Sequence, residues 1–106
     1  MSSRIAAALL DDALARVVAE PTRAAIVRAL AREQLCTCHL VELTGAGQTS
    51  VSNHLRVLRD AGVVASEQAG RYTYYRLVPQ VLAGLAAEFA DLAAAAEAVS
   101  SRRRPC

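Results

Sequence analysis

The chain has 106 residues, of which 54% are hydrophobic and 21% are charged, and this composition indicates one folded domain rather than several domains or a disordered chain. A count of 23 alanines with a single phenylalanine and no tryptophan predicts an interior of small and aliphatic side chains, carried mostly by helices. The 12 basic residues are all arginine and give a net charge of only +2, so charge alone predicts no polyanionic partner.

The first half of the chain predicts three helices. Apolar residues recur at helical spacing from Ile5 to Val18, which predicts a first helix. Pro21 suits the first turn of a second helix that continues to near Gln34. A short third helix is predicted over His39 to Thr44, where Leu40 and Leu43 form a buried face and a glycine turn follows.

A fourth helix and a hairpin are predicted next. Thr49 or Ser50 is expected to cap the fourth helix, which ends at Gly62. The apolar stripe of this helix consists of Val51, Leu55 and Leu58. The runs Val63 to Ser66 and Tyr72 to Val78 favour strands and flank the turn Gln68-Ala69-Gly70-Arg71, which predicts a β-hairpin. Two strands alone are marginally stable, so the hairpin must pack on the helices.

The last predicted helix has an apolar seam at alternating spacings of four and three. The seam consists of Val78, Leu82, Leu85, Phe89, Leu92, Ala96 and Val99. One small domain cannot cover apolar helices at both ends of its chain, so we expect a homodimer through the first and last helices. The expected organisation is a single domain over residues 1–106, mainly α with a β-hairpin wing, with residues 100–106 as a flexible tail.

The third and fourth helices, joined by a glycine turn, describe a helix-turn-helix whose second helix enters the major groove of DNA. The exposed face of that helix carries short hydrogen-bonding groups followed by arginines, which suit base edges and phosphates respectively. A solvated polar face is the alternative interpretation. The arginine at the hairpin tip favours DNA binding, because a wing contacts the backbone or minor groove. The predicted DNA-contacting residues are Gln48, Thr49, Ser50, Ser52, Asn53, Arg56, Arg59 and Arg71.

The distribution of charge agrees with this placement. Residues 1–47 carry five arginines and five acidic residues, whereas residues 48–77 carry four arginines and two acidic residues. Residues 78–101 hold three acidic residues and no arginine, and Arg102, Arg103 and Arg104 stand near the end of the chain. Positive charge is therefore concentrated in the segment that includes the fourth helix and the hairpin, and in the tail.

We expect a cytoplasmic protein with no membrane partner. The apolar stretch Ile5 to Leu10 runs directly into two aspartates and is too short for a secretory signal. Acidic residues interrupt the apolar runs near the C-terminus, which excludes a membrane span there. In a reducing cytosol the three cysteines are thiols rather than a disulfide framework.

Four segments together carry a resemblance to a known family. They are Ala19-Glu20-Pro21-Thr22-Arg23, Leu35-Cys36-Thr37-Cys38, Gln48-Thr49-Ser50-Val51-Ser52-Asn53-His54-Leu55, and Ala61-Gly62-Val63-Val64 followed by Gly70-Arg71 and Tyr75. Over roughly residues 15–80 the chain resembles the ArsR/SmtB family of winged-helix metal-sensing repressors. The resemblance implies a winged helix-turn-helix and a dimeric repressor, not an enzyme, that binds an inverted-repeat operator of double-stranded DNA and releases it when an inducer binds. His54 matches a motif position, where we expect a packing and hydrogen-bonding role rather than a ligand.

Cys36 and Cys38 are the candidate inducer ligands. In a regular helix their spacing would place the thiols on different faces, but an extended or turning segment before the third helix lets both point to one ion. A helix N-terminus favours the thiolate, and two soft sulfurs select thiophilic ions. The resemblance implies arsenite, antimonite, cadmium or lead as the inducer. The alternative is a pair of buried small hydrophobic side chains.

The third ligand is less clearly indicated. Arsenite prefers three thiolates, and the arsenic sensors that this chain resembles often have a third cysteine where Val41 stands here. The remaining thiol is Cys106, so we expect a site of Cys36, Cys38 and Cys106 that binds arsenite or antimonite, with no organic cofactor. His39 completes a cadmium or zinc site in one alternative and caps the third helix in the other, which we favour. No histidine stands between Pro79 and Ser101, which excludes the family's other metal site on the last helix.

Three other functions are alternatives to a metalloid sensor. A thiol redox switch would use Cys36 and Cys38 without a metal. A thiol enzyme is disfavoured, because His39 is the only acid-base group beside the pair. A purely structural dimerisation module explains the apolar seam but leaves the polar face of the fourth helix without a role.

Overall fold

The computed structural model describes residues 13–99. In chain order the elements are α1 (residues 13–19), α2 (Pro21–Leu30), β1 (Leu35–Cys36), α3 (Thr37–Thr44), α4 (Gln48–Asp60), β2 (Val64–Ala69), β3 (Tyr72–Leu77) and α5 (Pro79–Ala98). The first part of the predicted first helix and the predicted tail with Cys106 lie outside the described residues. The prediction of a mainly helical fold with a β-hairpin is confirmed.

The second helix is shorter than the sequence predicted. It begins at Pro21, as expected, after Glu20, whose carboxylate accepts a hydrogen bond of 2.8 Å from the backbone N–H of Arg23. It ends at Leu30 rather than near Gln34, because the chain must turn out of the helix before it becomes extended in β1. The residues between these elements form a turn.

The sheet has three strands, not the predicted two. Its order is β1-β3-β2, and both pairings are antiparallel. β2 and β3 form the predicted hairpin, and Gly70 takes the left-handed backbone conformation that its turn requires, at φ 62°. The added strand β1 pairs Leu35 with Tyr75 and Cys36 with Tyr74. The cysteine segment is thereby joined directly to the hairpin.

The start of α4 also differs from the prediction. Gly47 occupies the N-cap position, so Thr49 and Ser50 lie inside the first turn and neither caps the helix. The helix ends where it was predicted to end, because Gly62 adopts φ 81°, a conformation that favours glycine. Val51, Leu55 and Leu58, the predicted apolar stripe, are all buried.

The core lies where α2, α3 and α4 meet β1 and the start of the hairpin. Its buried members are Ile26, Leu30, Leu35, Leu40, Val51, Leu55, Leu58, Val63 and Val64. Leu43 was predicted to share the buried face of α3 with Leu40, but it is 64% exposed. The reason is that α3 has only eight residues and turns one narrow side, the one with Leu40, to the core.

The apolar seam of α5 divides into two parts. Near its start, Val81 and Leu82 pack against the core. Further along, Phe89 is 57% exposed and Leu92 is 66% exposed, and no residue of α5 is buried in the single chain. Within residues 13–99, no helix is both long and apolar enough to cross a membrane.

Candidate DNA-reading surface and thiol site

The exposed face of α4 holds every residue of that helix that the sequence assigned to DNA. Gln48, Thr49, Ser50, Ser52, Asn53, Arg56 and Arg59 are all exposed. The opposite side of the helix is anchored by three fully buried aliphatic side chains, so the polar face is held outward in a fixed orientation. Arg71 is exposed at the turn of the hairpin. The chain therefore presents hydrogen-bonding groups on a rigid helix and a cation on the adjacent wing.

The turn between α3 and α4 is fixed by local hydrogen bonds. Gly45 ends α3 in the left-handed conformation at φ 72°. The hydroxyl of Thr44 donates to the carbonyl of Leu40 at 2.7 Å and accepts the backbone N–H of Ala46 at 3.2 Å. The first bond lies within α3 and the second within the turn, so the hydroxyl of Thr44 ties the end of α3 to the segment that leads to α4.

His54 lies on the inner edge of α4 and belongs to a polar network. The Nε of Arg23 donates to the carbonyl of Val17 at 2.6 Å, and an Nη of the same guanidinium lies 3.1 Å from Nδ1 of His54. A guanidinium only donates hydrogen bonds, so Nδ1 is the acceptor. Oε1 of Glu20 lies 3.9 Å from the same nitrogen. The network joins α4 to the junction of α1 and α2, which agrees with the expected hydrogen-bonding role of His54.

The thiols of Cys36 and Cys38 are in contact, with 2.9 Å between their Sγ atoms. Cys36 ends β1 and has an extended backbone (φ −87°, ψ 168°), whereas Cys38 is the second residue of α3. The extended residue turns the first side chain toward the second, as the sequence analysis expected of a segment that leads into a helix. Cys36 is buried and Cys38 is exposed.

The contact makes the two thiols unequal. The pKa of Cys36 is lowered, chiefly because the thiol of Cys38 donates to its sulfur and further because the backbone N–H of His39 points to it. The pKa of Cys38 is raised, chiefly because its proton is held by Cys36. As the pH rises, Cys36 therefore becomes the thiolate first, and the thiolate is the form that binds metals and reacts with oxidants.

The structure places one further candidate ligand beside the pair. Nδ1 of His39 lies 3.3 Å from Sγ of Cys36. His39 was predicted to cap α3, and this prediction is wrong. The helix already begins at Thr37, and Cys36 holds the N-cap position. Among residues 13–99, no three His, Cys, Asp or Glu side chains form a group that could hold a metal ion. The described residues therefore contribute a two-sulfur site, and Cys106 lies outside them.

The thiol pair opens into a cleft of about 270 Å³ between β1, α3, α4 and the tip of the hairpin. Its lining consists of Cys36, Thr37, Cys38, Gln48, Arg71, Tyr72 and Thr73. The thiols thus share one cleft with Gln48, the first residue of α4, and with the tip of the wing. Sequence reasoning missed this arrangement, because it depends on β1, and the two-residue strand Leu35–Cys36 is too short to show a strand pattern.

The fold and this surface define a winged helix-turn-helix protein of the DNA-binding class. A sequence model of the family described as "Bacterial regulatory protein, arsR family" matches residues 20–66. The chain is 44% identical over 77 residues to the HTH-type transcriptional repressor SmtB of Mycobacterium tuberculosis, covering 71% of this chain and 57% of that protein. It is 39% identical over 67 residues to the arsenic resistance transcriptional regulator ArsR1 of Pseudomonas putida, covering 62% of this chain and 52% of that protein.

A solved structure supports the same assignment. The crystal structure of a possible transcriptional regulator for arsenical resistance has a TM-score of 0.68 and 37% sequence identity, and the match covers 80% of this chain and 95% of that one. The chain belongs to the ArsR family of bacterial regulatory proteins, whose members named above are transcriptional regulators and not enzymes. It spans only a little over half the length of the two curated relatives, at 57% and 52%.

The unequal thiols lead to a first prediction. Replacing Cys38 by alanine removes the donor that holds the pKa of Cys36 down, so the remaining thiol of the pair is expected to ionise at higher pH than Cys36 does in the unaltered protein. Thiolate absorbance in the ultraviolet, followed over a pH titration, measures this. Cys106→Ser is the control and should leave the lower titration step in place. An unchanged lower step in Cys38→Ala would contradict the assignment of Cys36 as the first thiolate.

Proposed function

We propose that this protein is a metalloid-responsive transcriptional repressor, which binds operator DNA as a homodimer and dissociates when arsenite or antimonite binds at a cysteine site. The observation that carries the proposal is the cleft in which Cys36 and Cys38 meet both Gln48 and Arg71. An ion at the thiols would lie against both DNA-contacting elements. The names of two of the relatives, an arsenic resistance regulator and a possible regulator of arsenical resistance, support this class of inducer.

The donor set favours a thiophilic ion. Two sulfur ligands select soft ions over magnesium or calcium, and Cys36 is the more readily ionised of the pair. A trivalent arsenic or antimony centre takes a third ligand, and we assign that role to Cys106, the one thiol that the described residues do not include. Cadmium and lead share the preference for sulfur and are the alternative inducers at the same cysteines.

Ion binding would act on both DNA-contacting elements through Cys36. Two sulfurs bound to one ion at about 2.3 Å lie at least about 3.3 Å apart for any bond angle of 90° or more, so the pair must open from its present 2.9 Å. Cys36 is paired with Tyr74 of the wing and directly precedes α3, which leads through the fixed turn to α4. A displacement at Cys36 therefore moves the wing and the reading helix together. Coupling of this kind typically amounts to about 1–3 kcal/mol.

The exposed half of the α5 seam supports a twofold dimer. Phe89 and Leu92 are more than half exposed in the single chain, and Leu14 of α1 and Leu85 of α5 line one open cleft. Packing these faces on a second copy would bury the apolar side chains. A twofold dimer presents two copies of α4, as recognition of an inverted repeat requires.

Arsenite release is the direct test of the proposed function. Operator binding, followed by fluorescence anisotropy under reducing conditions, is expected to weaken about 5- to 150-fold when arsenite is added to the unaltered protein. The weakening should be absent in Cys36→Ser and Cys38→Ser and reduced in Cys106→Ser. Each variant must first bind the operator normally without arsenite. Full release of DNA from Cys36→Ser would overturn the proposed site, and release by cadmium or lead but not by arsenite would replace the inducer.

The wing can be observed separately. The three tyrosines, Tyr72, Tyr74 and Tyr75, all lie in β3, and the chain has no tryptophan, so intrinsic fluorescence reports on the wing alone. Arsenite is expected to change the tyrosine emission of the unaltered protein in the absence of DNA, and to leave that of Cys36→Ser unchanged. Loss of operator binding without any change in emission would show that the signal does not pass through β1 and β3.

The dimer is tested by a charge placed on the seam. Leu92→Glu is expected to shift the protein from dimer to monomer and to weaken operator binding, because the exposed leucine is replaced by a group that resists burial. Ala94→Glu is the matched control, since it adds the same charge to an exposed position of α5 away from the seam. Sedimentation velocity measures the oligomeric state of both variants, and fluorescence anisotropy measures their operator binding. A Leu92→Glu protein that sediments like the unaltered protein would rule out this interface.

A further inference from the structure

The contact between the two thiols points to a second chemistry at the same place. We propose that Cys36 and Cys38 form a two-electron oxidation site, in which a peroxide converts the pair into an intramolecular disulfide. The oxidised pair has no free thiol left for a thiophilic ion. Oxidation would thereby switch off the response to the inducer, and this last consequence rests on the proposed function, whereas disulfide formation does not.

The distance between the sulfurs favours this reaction. They are 2.9 Å apart, and the bond length of a disulfide is about 2.05 Å. Closure therefore needs less than about 1 Å of approach, with no other side chain between the two atoms. Binding of both sulfurs to one ion needs the opposite displacement, to at least about 3.3 Å. Disulfide formation and ion binding therefore require opposite changes in the distance between the two sulfurs.

The surroundings allow an oxidant to reach the pair. Both cysteines line the open cleft, and Cys38 is exposed. Cys36 has its partner thiol in contact before any reaction, so an oxidised sulfur would be captured by its neighbour before it is oxidised further.

The reaction balances with hydrogen peroxide as the oxidant. The Cys36 thiolate attacks one peroxide oxygen, the O–O bond breaks, and the hydroxide that leaves takes up a proton to become water. Cys36 is then a sulfenic acid. The Cys38 sulfur attacks the Cys36 sulfur, the S–O bond breaks, and the hydroxide leaves as water with the proton of Cys38. Two thiols and one peroxide give one disulfide and two waters.

Tryptic mass spectrometry tests this without ambiguity about which cysteine reacts. Cleavage after Arg32 and Arg56 gives one peptide, residues 33–56, that contains Cys36 and Cys38 but not Cys106. After peroxide treatment of the whole chain, this peptide is expected to lose about 2 Da and to resist alkylation, and dithiothreitol should reverse both effects. Cys106→Ser is the control and should give the same loss. The readout needs neither DNA nor an inducing ion, so it can fail independently of the proposed function.

Single-cysteine variants test the order of the steps. In Cys38→Ser, the sulfenic acid on Cys36 has no partner and is expected to be trapped by dimedone. Two alkylated cysteines in residues 33–56 after peroxide treatment, or a disulfide from either of them to Cys106, would overturn the proposal. Arsenite binding to the peroxide-treated protein, followed by calorimetry, should be lost and should return with dithiothreitol. Binding that survives a completed disulfide would show that these two sulfurs are not the ion's ligands, and would overturn the proposed site rather than the oxidation.

Discussion

The extended backbone of Cys36 is the feature on which the functional geometry depends. This residue is the last of β1 and the one before α3, so it belongs to the sheet and to the helix-turn-helix at once. Were it the first residue of a regular helix, its side chain and that of Cys38 would lie on different faces. In the extended conformation the two sulfurs are 2.9 Å apart, and a two-residue strand pairing connects them to the wing.

Two different connections hold α4 in place, a network of polar side chains and the turn that follows α3. On one side, the network of Arg23, His54 and Glu20 joins α4 to the start of α2 through hydrogen bonds that an inducer at the thiols does not touch. On the other side, the turn after α3 joins α4 to the segment that carries Cys36 and Cys38. Under the proposed function, a small change at the thiols would rotate α4 about its fixed side, because a packed core resists continuous deformation.

Much of this could be predicted from the sequence, since it depends on regular patterns. The stripe of Val51, Leu55 and Leu58 and the glycine at position 62 located α4 and its end, and the β-favouring runs on both sides of the turn with Gly70 located the hairpin. The polar residues on the other face of α4 followed from the same periodicity. The contact of the thiols followed from the position of the pair at the start of a helix.

The features that could not be predicted from the sequence are either very short elements or positions decided by contacts between elements. A strand of two residues has no period, so β1 and the cleft it creates were missed. Gly47 occupies the N-cap position that was predicted for Thr49 or Ser50, because the backbone is extended at Gly47. A glycine has no side chain that could indicate this role in the sequence. Leu43 was predicted to share a buried face with Leu40, but which side of an eight-residue helix faces the core is decided by its neighbours.

The central claim is that the thiol pair and the DNA-reading surface are energetically coupled. Coupling is reciprocal, so an ion that weakens DNA binding must itself bind more weakly to the DNA-bound protein, by the same factor. The most direct measurement is isothermal titration of arsenite into the free protein and into the protein saturated with operator. The two arsenite affinities are expected to differ by the factor by which arsenite weakens operator binding. Equal arsenite affinities with and without DNA would contradict it.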